Sequence, residues 1–255
     1  MRFALVQFTA ELDAASNLKT ISKMLEDIAD VAVIVLPEAS MRDFGEDDLS
    51  NAAQDLHGEF VAAMRELAQK HGAVLIGGMF ETGDPLPFNT VVAVDQGGLL
   101  AAYRKIHLYD SFGYRESDRL QAGPIEPTVF SVNEAKIGIL TCYDLRFPEH
   151  ARMLVDAGAD VLVVPSAWVS GPNKVHHWLT LLTARAIENT IPVLAAAQNG
   201  SRYSGHTSAI NADGTIVGQV KNESAVIVVD IDLDQTLQIR SQNPSLANRR
   251  IRPLQ

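Results

Sequence analysis

Apolar positions along the chain fall into short runs separated by longer stretches in which they recur every three or four residues. The runs predict strands over 2–8, 31–36, 73–79, 90–94, 99–103, 136–140, 161–164, 193–197, 206–210, 215–219 and 225–230. Between them the helical period is clearest at Phe60, Met64, Leu67 and Ala68, spaced i, i+4, i+7 and i+8, with Gly72 as a stop. A further helix is predicted over 174–189, with Val175, Trp178, Leu179, Leu182 and Ala186 on one face and Pro192 beyond its end. Strand–helix–strand units favour parallel neighbours. The turns Asp95-Gln96-Gly97-Gly98 and Ala212-Asp213-Gly214 instead join antiparallel ones. A mixed sheet system with helices outside accommodates both. No Gly/Ser/Pro-rich linker, charge block, repeat or low-complexity tract divides the chain, which reads as one domain over residues 1–255.

Composition narrows the function classes. With 47% apolar residues in 255, the chain can bury a large core, which excludes global disorder. Its net charge of −10 gives no electrostatic attraction to nucleic acid or to an anionic membrane, so neither is expected as a partner. No apolar run approaches the roughly 18 residues needed to span a bilayer. The N-terminus enters strand-like sequence directly, without the pattern of a signal peptide, and a soluble cytoplasmic protein is expected. There is neither a GxGxxG after a strand nor a Walker loop, so nucleotide binding has no support, and there is no GxSxG elbow. His176-His177 lacks the spacing and carboxylate of a zinc helix and reads as structural.

The single cysteine, Cys142, permits neither an intramolecular disulfide nor a multi-cysteine zinc site. A lone cysteine is most often a small buried hydrophobe. Here, however, it closes an apolar strand, is followed by Tyr143, Asp144 and Arg146, and precedes a helical pattern with Met153, Leu154 and Ala157 on its apolar face. A thiol at a strand-to-helix turn lies near the positive end of a helix, where a thiolate is favoured. Glu38 and Lys105 occupy the same kind of position, each just past an apolar strand, where ligands bind in open α/β sheets. Singly, each charge reads as a solvated loop residue. Together they supply one reaction: a carboxylate to take the thiol proton, an ammonium to neutralise an oxyanion, and a thiol to attack a carbonyl.

These residues sit in segments that resemble the nitrilase, or carbon–nitrogen hydrolase, superfamily. The segments are Leu36-Pro37-Glu38, 103–110, Arg115-Glu116-Ser117-Asp118, 142–149, Pro165-Ser166-Ala167-Trp168 and 184–189, in the family's order and spacing over essentially the whole chain. Within the superfamily the sequence is most similar to the branch of omega-amidases and deaminated-glutathione amidases. The resemblance implies a four-layer α-β-β-α sandwich with mixed β-sheets that assembles as a homodimer or higher homo-oligomer. It also implies a Glu38–Lys105–Cys142 triad with Glu116 as second glutamate, and a small-molecule amide as substrate with no metal or organic cofactor. Arg146 would help hold a substrate carboxylate and Trp168 would line the pocket. Tyr143 would add its backbone N–H to Lys105 in holding the oxyanion. The reaction implied is hydrolysis of a small linear carboxamide through a thioester, releasing ammonia. A true nitrilase, an acyltransferase or a catalytically silent binding protein of the same fold are the alternatives. The chain departs from that branch at Leu179, Thr183 and Trp168 and in a short 109–115 loop, positions that shape the pocket mouth rather than the triad.

Overall fold

The computed structural model describes residues 1–45 and 48–251. Its first sheet is built from β1 (Arg2–Gln7), β2 (Val33–Val35), β3 (Val74–Glu81), β4 (Phe88–Asp95) and β5 (Gly98–Arg104), closed by the late strand β14 (Ala225–Asp230). A two-residue pair, β6 (Asp110–Ser111) and β7 (Tyr114–Arg115), forms a small separate hairpin. The second sheet contains β8 (Val129–Val132), β9 (Ala135–Ile139), β10 (Val161–Ser166), β11 (Val193–Ala197), β12 (Ser208–Ile210) and β13 (Ile216–Gln219). The helices are α1 (Ala14–Met24), α2 (Glu59–His71), α3 (Pro148–Asp156), α4 (Lys174–Asn189) and α5 (Leu233–Gln242).

Strand order is β14-β1-β2-β3-β4-β5 in one sheet and β13-β12-β11-β10-β9-β8 in the other. In each, a parallel trio (β1-β2-β3 and β9-β10-β11) is flanked by antiparallel strands. The mixed arrangement expected from the turns is therefore realised, and both turns do join antiparallel neighbours.

Alternate side chains explain the layering. Along β1, Phe3 and Leu5 point into a core shared with Ile137, Ile139, Val161 and Val163 of the other sheet, whereas Ala4 and Val6 point outward under α1 and α2. Along β10, Val161 and Val163 face the first sheet, and Leu162 and Val164 meet Leu154, Trp178, Leu182 and Ala186 of α3 and α4. Strands buried on both faces read as unbroken apolar runs, which is why these were legible. The result is two sheets stacked face to face between two helical layers, the α/β sandwich that the resemblance implied. Among the described residues, no helix is long and apolar enough to cross a membrane.

Differences from expectation have local causes. β2 is shorter than 31–36, and β12 starts at Ser208 because His206, at φ 64°, departs from extended backbone. Ala157 lies beyond α3 and is exposed. The short strand β8 and the helix α5 were not foreseen. β8 is a half-buried edge, and α5 buries only Thr236, so neither writes a clear apolar period.

One close approach places the first catalytic candidate. The loop after β2 runs so near β3 that a Cβ on Gly78 would lie 2.4 Å from the Ala39 nitrogen and 2.8 Å from the Glu38 Cα. Gly78 in turn accepts from Met41 N–H at 3.0 Å and donates to the Pro37 carbonyl at 3.2 Å. Gly78→Ala is expected to lower stability by about 1–3 kcal/mol, as overpacking does, and to reduce kcat by displacing Glu38. Denaturant unfolding together with steady-state kinetics checks this, and unchanged values of both would refute the claim that contact at Gly78 sets the position of Glu38.

Candidate active site

β5 runs in the same direction as β2, so the chain leaves both at one end of the first sheet, Glu38 following β2 and Lys105 following β5 directly. Cys142 leaves β9 in the facing sheet. All three line one cavity of about 570 Å³, together with Glu116, Tyr143 and Trp168. The structure thus places six of the seven expected site residues on one cavity. The seventh, Arg146, is not among the lining side chains. Its guanidinium lies over the Trp168 ring at 4.9 Å, and its Nη2 is 3.4 Å from His177 Nδ1.

Glu38, Lys105 and Glu116 form a buried charge cluster. Lys105 Nζ donates to Glu38 Oε1 at 2.9 Å and to Glu116 Oε2 at 2.8 Å. Asn89, on β4, bridges the same two carboxylates, its Nδ2 donating to Glu38 Oε1 at 2.8 Å and Glu116 Oε1 at 2.9 Å. The remaining oxygen of Glu38 accepts from Ala167 N–H at 2.7 Å, and Glu116 Oε2 also accepts from Tyr109 N–H at 2.6 Å. Gln198, just past β11, anchors the Glu38 backbone carbonyl at 2.8 Å. Burial alone would push the Lys105 ammonium toward neutrality, but Glu116 and Glu38 outweigh it and hold its pKa well above that of an ordinary lysine. Lys105 is therefore a fixed cation.

Cys142 sits at φ 48°, a left-handed conformation that non-glycine residues seldom adopt, and opens a short 3-10 turn, Cys142–Arg146. The turn is tied down by Asp144. Its Oδ2 accepts from Thr141 N–H at 2.9 Å and from the Tyr103 hydroxyl at 2.6 Å. Its Oδ1 accepts from the His107 backbone at 3.1 Å and lies 2.7 Å from His107 Nδ1. Tyr103 and His107 flank Lys105 in sequence, so one carboxylate links the segment that carries the lysine to the turn that carries the thiol. Burial opposes a charge on Asp144, but the hydrogen bonds from His107 and Tyr103, with the His150 ring 3.7 Å away, prevail and hold it well below the usual carboxylate range. His107, Asp144 and His150 bring three ligand-capable atoms within 4.8 Å. The Asp144 oxygens are already taken by four donors, from Thr141, Tyr103 and His107, so Asp144 acts as a hydrogen-bonded strut and His150 packs beside it at 3.7 Å.

The thiol departs from expectation. Burial, and then Glu38, push it far above the usual cysteine range, against Lys105 and the Ser166 hydroxyl, which pull it down. The short turn does not override these, and the balance favours the protonated thiol.

Several contributors were not singled out from sequence. Gln198 follows an apolar strand as Glu38 does, so the same signal could have found it. Asn89 is one polar residue inside a strand, and nothing in the sequence marks it as inward. Tyr109, Phe112, Lys174 and Tyr203 line the cavity from three separate segments.

A glutamate, a lysine and a thiol converging in a cavity at the end of two stacked mixed sheets define a hydrolase of carbon–nitrogen bonds built on a Glu–Lys–Cys triad. The carbon–nitrogen hydrolase family matches residues 2–241, and the chain belongs to that family. It is 39% identical over 229 residues to a deaminated glutathione amidase of Escherichia coli O157:H7, covering 89% of this chain and 87% of the relative. It is 31% identical over 265 aligned positions to an omega-amidase of Xenopus laevis, covering 98% and 95%. A carbon–nitrogen hydrolase superfamily protein of Xanthomonas campestris, solved with an arsenic adduct in its active site, superposes with a TM-score of 0.91 at 27% identity and covers 100% of this chain and 99% of its own.

Ultraviolet difference spectra between wild type and Cys142→Ser are expected to show no thiolate band between about pH 6 and about pH 9, although an ordinary thiol with a pKa near 8.5 ionises in that range. A band already present at about pH 7 would mean a preformed thiolate.

Proposed function

We propose that this protein is an amidase that hydrolyses a small linear carboxamide, including omega-amides of dicarboxylic acids, through a thioester on Cys142 with release of ammonia. The observation that carries this reading is the Lys105 ammonium held between Glu38 and Glu116 in the wall of the cavity that Cys142 lines. The similarity to a deaminated glutathione amidase and an omega-amidase supports the substrate class.

In the proposed mechanism Glu38 takes the Cys142 proton as sulfur attacks the amide carbon, so the nucleophile forms only during the reaction. The carbonyl electron pair moves onto oxygen. An ammonium has three N–H donors, and Lys105 commits two to the carboxylates, leaving the third for this oxyanion. The Tyr143 N–H, in the first turn after the nucleophile, has no partner within so short a helix and supplies a second donor. Collapse of the intermediate breaks the C–N bond, and Glu38 returns its proton to the leaving nitrogen. Glu38 then takes a proton from water, which attacks the thioester; the C–S bond breaks to release the acid, and Glu38 passes its proton to the departing sulfur, restoring the thiol. Glu116 holds Lys105 in place and offers Oε1 toward the substrate amide.

Cys142→Ala should abolish ammonia release while leaving the fold intact, and Cys142→Ser should be severely impaired because a hydroxyl is harder to deprotonate. Lys105→Met and Glu38→Gln should each lower kcat by at least ~10²-fold. Intact mass spectrometry should detect the acyl group on Cys142 in wild type only. Near-normal kcat in any of these variants would overturn the assigned triad. Parallel assay of an amide and the nitrile of the same chain separates amidase from nitrilase chemistry.

A further inference from the structure

Charge in the cavity is distributed unequally. Among the described residues lining it, the charged ones are Glu38, Lys105, Glu116, Lys174 and Arg202. Lys105 is shared by two carboxylates, so the inner end, beside Cys142, carries a net negative charge. Arg202 is paired with Asp43 at 2.9 Å. Lys174 remains. It is 7% exposed, and among the described residues no carboxylate lies within ion-pair distance of it. Its Nζ donates to the Tyr109 hydroxyl at 2.9 Å and otherwise faces aromatic rings, 3.9 Å from the centre of Phe112 and 5.1 Å from that of Tyr109.

An ammonium removed from water without a counter-ion is costly to keep, and rings and one hydroxyl offset only part of that cost. The cost shows in its acidity: burial and then nearby Arg146 lower its pKa. Its place in the fold does not explain it either. Lys174 is the first residue of α4, where the helix dipole disfavours a cation. Two of its three N–H donors remain for a ligand. It stands on the side of the mostly exposed Phe112, and Tyr109 ties that side to the inner cluster through its N–H on Glu116.

We propose that Lys174 is a specificity-determining residue, the receptor for a substrate carboxylate distal to the scissile carboxamide. The proposal rests on the amidase reading and deepens it. The negative inner end repels that carboxylate and the positive outer wall receives it, so a monoamide of a dicarboxylic acid enters amide first. Arg146, behind Trp168, adds to the positive potential without reaching the cavity.

The test compares glutaramic acid with pentanamide, one carrying the carboxylate and the other not. In wild type, K174M and K174R, the ratio of kcat/KM for the acid amide to that for the neutral amide is measured. The ratio should fall at least about tenfold in K174M, mainly through KM, and recover in K174R. A lysine that merely braced the Tyr109–Phe112 side would lower both substrates together, and an unmoved ratio overturns the proposal. Calorimetric binding of both compounds to C142A, with and without K174M, reads the same contrast without turnover. If wild type hydrolyses neither compound, the amidase reading fails on its own. Calorimetry then still decides on Lys174: preferential binding of glutaramic acid that K174M removes upholds the proposal, and equal binding of the two overturns it.

Discussion

The arrangement turns on one buried lysine between two buried glutamates. Taking an ion out of water costs on the order of several kcal/mol, and two carboxylates around one ammonium leave an uncancelled negative charge. Such a cluster persists only if every remaining lone pair finds a donor. Asn89 serves both acids with a single amide group, the Ala167 and Tyr109 N–H groups complete the shell, and Gln198 fixes the backbone from which Glu38 projects. These donors come from both sheets and from the 105–116 segment, so the cluster exists only when the sheets have docked.

Docking alone would leave the thiol unplaced. Its turn belongs to the second sheet and the lysine to the first, so their relative placement needs a tie beyond the packing of the apolar core. Asp144 supplies one by gripping Tyr103 and His107, on either side of Lys105, while holding the N–H at the start of the cysteine turn. A polar strut at the rim thus adds a directional tie to the packing of Phe3, Leu5, Val161 and Val163.

How much of this a reader could find in the sequence depends on the range of the signal. Strands sealed on both faces must be apolar throughout, so 2–8, 73–79 and 193–197 announced themselves, and Glu38, Lys105 and Cys142 stood out as chemistry placed just past such runs. Glu116 came from the family resemblance alone, since it follows no strong strand. Asn89 was hidden because its value lies in which way a strand residue faces. The spacing of Arg146 from Cys142 suggested reach into the pocket, but direction is settled by Trp168 and His177, which arrive from α4 and the loop before it. Lys174 sat at the head of a helix whose apolar face was plain, yet nothing local tells what that end will meet.

The protonation that burial and Glu38 favour at Cys142 bears on when its sulfur becomes reactive. Oxidants and stray electrophiles react with thiolates, and their attack on cysteine begins with the ionised sulfur. With its proton retained by burial and by Glu38, the only sulfhydryl in the chain presents little of that target. The sulfur thus becomes a strong nucleophile only as Glu38 takes its proton, which ties its reactivity to a carbonyl seated in the cavity.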